Sequence, residues 1–437
     1  MRFSKKSVLV FSIPAFLASF SVAHSATADQ LNYESYFRSG IGRNDKGGAQ
    51  TCFSNPLAGG HNDFRLGNEC GAYGELSLRA TPVKGAENEP SFAATTMLSF
   101  NFPSNTDATS SNVGVVQLFA EGSHLFGKDY GAWIGRRYYR DIDAHMDDFF
   151  YYGGVAGEGA GITHVDVGNG TLSVALFLPT LNDATPFSTP PTTVSTSSER
   201  GVPQGRYLDL RLSDFALNEK NHLHFWLGFA DQSETTITGG TLVGQTLGNF
   251  VGYLAGSRYR SDLENGTNDL ALVYGKGLLS RLNTGDVVGH TVGDAIGGSS
   301  NLRIVDHATF EHETWAMHAL ALAELRQDFF AKSKKGWYFS AGIRPVYFVT
   351  ENFHVAVELG HDEAEDDGYQ GGKTLRLTRL TIAPEIVAAK KIWSRPALRF
   401  FYSTSFWNND ARGLIGTGAY ANDTSGNTWG FQGEVWF

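Results

Sequence analysis

One stretch of the chain holds most of the groups that could do chemistry. Between Gly135 and Gly161 six aromatic side chains (Tyr138, Tyr139, Phe149, Phe150, Tyr151, Tyr152) sit among Arg136, Arg137, Arg140, Asp141, Asp143, Asp147 and Asp148. Flat apolar faces beside carboxylates and guanidinium groups suit a sugar. The rings cover C–H faces while the charged groups pair with a dense set of hydroxyls. The stretch is too polar for a core helix and stops alternating after Tyr139, so it reads as a loop. The plainer alternative is a surface loop with aromatic anchors. The glycine-rich tail from Gly153 to Gly161 reads as a flexible hinge, because no strand–helix context surrounds Gly157, Gly159 and Gly161 as a phosphate loop would need.

The elements that must position this loop are strands. Glycine supplies 51 of 437 residues, aromatics 13% and hydrophobic residues 41%. After the N-terminal segment no apolar run approaches the ~18 residues of a spanning helix. What recurs is period-2 alternation over about ten residues at a time. Leu208, Leu210 and Leu212 alternate with Asp209, Arg211 and Ser213. Leu223, Phe225, Leu227 and Phe229 alternate with His222, His224 and Trp226, and Val355, Val357 and Leu359 with His354, Ala356 and Glu358. A soluble sandwich could alternate in this way. Two features point instead to an all-β, transmembrane antiparallel barrel. One apolar face recurs along the whole chain without a two-sided core. The last strand also ends on an aromatic, with Trp429, Phe431, Gly433, Val435 and Phe437 on one face and Gly430, Gln432, Glu434 and Trp436 on the other.

Arg2, Lys5 and Lys6, the apolar run Ser7 to Val22 and Ala26-Thr27-Ala28 form an export signal over residues 1–28, with a mature start near Asp29. Its removal takes the formal net charge from −10 to −13 (32 basic against 45 acidic residues), which argues against a nucleic-acid partner. Residues 29–437 form a single barrel. At roughly 20 to 23 residues per strand and connection it has about 18 strands. Cys52 and Cys70 are the only cysteines and in an exported chain are expected to pair.

Other constellations carry less. His307, His312 and His318 stand near Glu313, but Ala316 breaks the H-E-x-x-H spacing. With Arg303 and Asp306 they read as polar groups of a lumen or rim, and no metal site is expected. The acidic run from Asp362 to Asp367 reads as a solvated turn. No nucleophile–base set stands out and no cofactor is expected.

Several segments resemble the maltoporin family of sugar-selective outer-membrane porins. They are Y-F-R-S-G-I-G at 36–42, R-L-G-N-E-C at 65–70, H-M-D-D-F-F-Y-Y at 145–152, G-A-G-I at 159–162, L-R-I-V-D-H at 302–307, I-W-S-R-P-A-L-R at 392–399 and G-E-V-W-F at 433–437. The resemblance implies a homotrimer of 18-stranded barrels in the outer membrane of a Gram-negative cell, in contact with lipid. It also implies an inward-folded third loop near 136–161 and a line of aromatic rings, the greasy slide, along which an oligosaccharide moves. The family's slide falls on Tyr36, Tyr73, Trp393 and Trp436, which alternation independently turns toward the lumen. Its polar track falls on Arg38, Arg65, Glu75, Asp143 and Asp148, and its constriction tyrosine on Phe150.

The departures are as specific. Residues 102–116 contain no Trp where the family's neighbouring subunit contributes one. Thr267 stands where the slide usually has Phe, Asp141 where the constriction has Arg, and Gly153 where it has Asp. The expected function is passive facilitated diffusion of oligosaccharides such as maltodextrins, without an enzymatic step. The alternatives are a porin for another sugar of the sucrose kind, a general-diffusion porin, and a hydrolase using Asp143 and Asp148.

Overall fold

The computed structural model describes residues 31–58, 64–86, 88–102, 112–141, 143–147, 149–152, 156–178, 205–236, 246–247, 249–280, 282 and 297–437. The expected export signal and Asp148 lie outside the described residues. Alternation of this length gives strands, and 18 of them form one antiparallel sheet. In chain order they are β1 (Leu31–Asn44), β2 (Ala72–Val83), β3 (Ser91–Phe102), β4 (Asn112–Ser123), β5 (Gly131–Tyr138), β6 (Ala156–Asp166), β7 (Thr171–Phe177), β8 (Arg206–Asn218) and β9 (Asn221–Gln232). The second half comprises β10 (Phe250–Leu263), β11 (Gly266–Gly277), β12 (Ser300–Glu311), β13 (Trp315–Gln327), β14 (Lys335–Phe348), β15 (Phe353–Asp366), β16 (Leu375–Val387), β17 (Ala397–Trp407) and β18 (Ser425–Trp436). Because β1 pairs with both β2 and β18, the sheet closes and leaves no edge.

All strands but β5 and β7 have 11 to 14 residues, enough for a tilted strand to cross a hydrocarbon core of about 30 Å. The two faces separate as the alternation requires. On β18 Phe431 is 54% exposed to the outside, whereas Glu434 on the opposite parity is 3% exposed inside the barrel. The two ends differ too. The end at which β1 starts and β18 finishes has connections of two to nine residues, such as 219–220, 264–265 and 388–396. The opposite end carries longer ones, including 45–71, 139–155 and 178–205. Short turns on one side and long loops on the other are what an outer-membrane barrel shows.

The loop between β5 and β6 is shorter than the sequence suggested, running from 139 to 155. Arg136 to Tyr138 continue β5, and Gly157, Gly159 and Gly161 belong to β6 rather than to a hinge. The glycines serve packing there. A Cβ at Gly161 would lie 2.7 Å from Trp133 Nε1, and one at Gly159 2.7 Å from the Phe177 ring.

The described parts of the first connection, 45–58 and 64–71, fold across the inner wall. Arg379 of β16 donates to Phe53 O (2.9 Å), and Glu358 of β15 accepts from Leu66 N (3.0 Å). Phe64 fills the space left by two glycines of β14 and β15. Added Cβ atoms at Gly342 and Gly360 would stand 2.3 and 2.0 Å from its ring. Cys52 and Cys70 form the expected disulfide, with Cα atoms 5.8 Å apart, at the neck of this segment.

Candidate functional site

The closure seam assembles a row of rings. In the β1–β18 ladder Tyr36 lies opposite Trp436, and in the β1–β2 ladder Arg38 lies opposite Tyr73. Strand register therefore fixes three rings from opposite ends of the chain. Tyr73 and Tyr36 have centroids 6.3 Å apart, Tyr36 and Trp436 6.4 Å, and Trp436 and Trp393 6.4 Å. The Tyr36 and Trp436 planes are only 21° apart. Trp393 departs from the expectation in one respect. Strand alternation does not orient it, because β17 begins at Ala397. It sits in the connection 388–396 and is 43% exposed.

Behind the rings lies a dense polar network centred on two carboxylates. Glu434 receives Arg395 (2.9 Å) and Arg399 (3.1 Å), with Arg65 at 3.5 Å. Glu69 pairs with Arg38, with Arg65 (2.8 Å) and with Gln432 Nε2 (3.0 Å). The Tyr73 hydroxyl donates to Glu75 at 2.5 Å. Arg395 also lies 4.0 Å from the Trp436 ring centroid, a cation–π arrangement that backs one face of the indole. Charged groups that satisfy one another hold the rings in place, and they are themselves hydrogen-bonding groups beside an aromatic surface.

His145 links this network to the loop between β5 and β6. Its ring meets Trp393 at 5.5 Å and Trp436 at 5.3 Å, both edge-on. Arg65 Nη1 lies 3.2 Å from its Nδ1 and Arg395 Nη2 3.4 Å from its Nε2, with Glu434 Oε1 3.6 Å from Nε2. Burial first, and then the Arg65 charge, hold the imidazole well below its usual range.

The aromatic stretch that drew attention in the sequence divides into two groups. Three of its rings anchor the loop. Tyr139, Tyr151 and Tyr152 are buried. Tyr152 stacks on Trp226 of β9 at 5.5 Å and donates to Asp209 of β8 at 2.7 Å. The Trp226 indole donates to Asp141 at 2.6 Å, so this lumen-facing Trp is a docking point and not part of the row. Phe150 and Asp143 face each other on a short ribbon (Asp143–Ala144 with Phe149–Phe150), with Arg140 4.8 Å above the Phe150 ring. The seam thus gathers Tyr36, Tyr73, Trp393, Trp436, Arg38, Arg65 and Glu75, while Asp143 and Phe150 belong to the loop ribbon.

Residues 31–437 match the family model described as LamB porin. The chain belongs to the LamB porin family, the maltoporins. It is an outer-membrane porin channel, and its architecture is that of a channel rather than an enzyme. Solved porins align over nearly the whole chain at low identity. OccAB1 of Acinetobacter baumannii aligns with a TM-score of 0.50 at 11% identity, covering 94% of this chain and 97% of that one. The outer membrane channel DcaP of Acinetobacter baumannii gives 0.48 at 9% identity over 95% and 100%, and OccD3 of Pseudomonas aeruginosa 0.48 at 10% over 94% and 91%.

Within this LamB porin the residues that the sequence reading passed over are Glu69, His145, Arg395, Arg399 and Glu434. Parity already put Glu434 on the lumen face beside Trp436. Its place as a hub depends on Arg65 and His145 arriving from two different loops, and no local pattern reports that. Thr267 lies at the start of β11, opposite Thr309 of β12, where the barrel wall carries hydroxyls in place of a ring.

Proposed function

We propose that this porin facilitates passive diffusion of oligosaccharides, with pyranose rings sliding over Tyr73, Tyr36, Trp436 and Trp393. The observation that carries the reading is the unbroken row of four rings spaced 6.3 to 6.4 Å apart along the closure seam. At that spacing a flat sugar face shifts from one ring to the next without leaving aromatic contact. Aromatic contacts contribute roughly 0.5–1.5 kcal/mol each, so the sugar is held loosely enough to leave, as conduction requires. Arg38, Arg65 and Glu75 beside the rings, together with Asp143 and Asp148, are assigned to the polar track that exchanges hydrogen bonds with the sugar, and Phe150 to the constriction. The reading includes assembly as a homotrimer, export by a signal over residues 1–28, and no enzymatic step.

The deciding measurement is ion current through the purified porin in planar bilayers, titrated with the maltodextrin series, sucrose and other disaccharides. Saturable block by one series is the expected result. Current that falls only with solution viscosity for every sugar makes the protein a general-diffusion porin. Shorter products from incubated maltodextrins would point to hydrolysis. Light scattering in mild detergent is expected to give the mass of a trimer.

A further inference from the structure

Trp393 differs from the other three rings in how it is held. Tyr36, Tyr73 and Trp436 are fixed by ladder register, whereas Trp393 belongs to the connection between β16 and β17. A ring on a connection needs contacts of its own to keep a place in a row. Besides His145 of the loop between β5 and β6, β12 and β13 supply them. Glu311, the last residue of β12, accepts Ile392 N at 2.8 Å through one carboxylate oxygen and binds Lys391 Nζ at 2.9 Å through the other. The backbone on the N-terminal side of Trp393 is therefore pinned to the barrel wall. The indole itself meets the His318 imidazole of β13 edge-on, at 4.7 Å and 66°. His318 is in turn fixed by stacking on His307 of β12 (5.8 Å, 13°) and by a hydrogen bond between Nδ1 and Thr309 Oγ1 (3.1 Å). His318 is 2% exposed while Trp393 is 43% exposed, so the imidazole lies behind the indole and does not present a surface to the pore.

We infer that His318 and Glu311 are positioning residues that set Trp393 in the aromatic row, His318 by packing against the ring and Glu311 by pinning the turn. The inference rests on the sugar-channel reading for its consequence in transport. It also makes a claim about the indole that holds whatever passes through the pore. The pair reaches Trp393 from β12 and β13, strands outside the closure seam, so this ring is set by a different part of the barrel from Tyr36, Tyr73 and Trp436.

The test uses the intact porin labelled with 5-fluorotryptophan in detergent, in wild type and in the variants His318→Ala, His318→Phe and Glu311→Ala. The Trp393 fluorine resonance is identified by its loss in Trp393→Phe. In His318→Ala that resonance alone is expected to shift and broaden, and sugar block to weaken by about two- to tenfold, the loss of one aromatic contact. Ion conductance and the detergent-resistant folded band of the unheated protein should stay unchanged. His318→Phe, which keeps a ring without hydrogen-bonding nitrogens, is expected to restore both line and block. Glu311→Ala should broaden the line to a similar degree. An unchanged Trp393 resonance in both alanine variants overturns the inference, as does His318→Phe behaving like His318→Ala. If no sugar blocks the wild type, the transport reading falls, and the fluorine spectra still decide the positioning.

Discussion

The Tyr36 hydroxyl accepts a hydrogen bond from Arg65 Nη2 at 2.5 Å and donates to Glu434 Oε1 at 3.3 Å. Arg65 comes from the first loop and Glu434 from the last strand, so one phenol ties both to β1. With its hydroxyl occupied on both sides, Tyr36 offers the pore its ring. Tyr36→Phe is therefore expected to keep sugar block within about twofold of wild type, and Tyr36→Ala to weaken it about two- to tenfold. Titration of ion current with sugar reads both. Equal losses in the two variants would show that the hydroxyl itself meets the sugar.

Trp436 and Phe431 lie on opposite faces of one strand and make a matched pair. Trp436→Ala removes an indole from the middle of the row, between Tyr36 and Trp393. Sugar block should weaken about two- to tenfold, with little change in conductance, since pore charge is unaltered. Phe431→Ala on the lipid-facing side should leave block as it was. Block lost in Phe431→Ala and kept in Trp436→Ala would contradict the lumen assignment of the row.

How much of this was legible in the sequence follows from the range of each signal. Strand parity is local and periodic, so the barrel, its strand number and the inward direction of Tyr36, Tyr73 and Trp436 could all be read from it. Trp393 lies beyond the start of β17, where parity no longer applies, and its place in the row comes from contacts with β12 and β13. The rings of the loop between β5 and β6 could be counted but not sorted. Docking of Tyr152 and stacking of a sugar require the same residue type, and the partner that separates them, Trp226, is far away in sequence. The inward course of the first loop was equally hidden. It depends on Gly342 and Gly360 leaving room for Phe64, a complementarity between segments hundreds of residues apart.

Reducing the Cys52–Cys70 bond should reach further than the first loop. In the chain-entropy model a cross-link of this span stabilises by roughly 3 kcal/mol, and here it constrains the segment that delivers Arg65 and Glu69 to the seam. The 18-strand ladder does not depend on it. Reduction, or the double variant Cys52→Ser and Cys70→Ser, is expected to leave the detergent-resistant folded band of the unheated protein in place and to weaken sugar block. Protease nicking within 45–71 should accelerate. Loss of the folded band without heating would assign the bridge a role in barrel stability; unchanged block would detach Arg65 and Glu69 from sugar binding.

His145 should make the seam sensitive to acid. Burial, and after it the charge of Arg65, hold its imidazole well below the usual value near 6.5. Below pH 6.5 the undocked loop therefore binds more protons than the docked one, and acidification disfavours docking. The contribution is complete above pH 6.5 and fades as pH falls toward the lowered value. Protonation would place a third cation beside Arg65 and Arg395, with Glu434 as the compensating charge. Asp147 on the same loop acts with the opposite sign. Burial, and next the Asp362 charge, raise its carboxyl well above the usual range, so its contribution is lost as pH rises. A wild-type profile alone would mix the two groups, and His145→Gln separates them by removing one. Between pH 7 and pH 5 wild-type sugar block is expected to weaken about two- to tenfold relative to His145→Gln. Parallel profiles for the two proteins would remove His145 from the coupling between loop and rings.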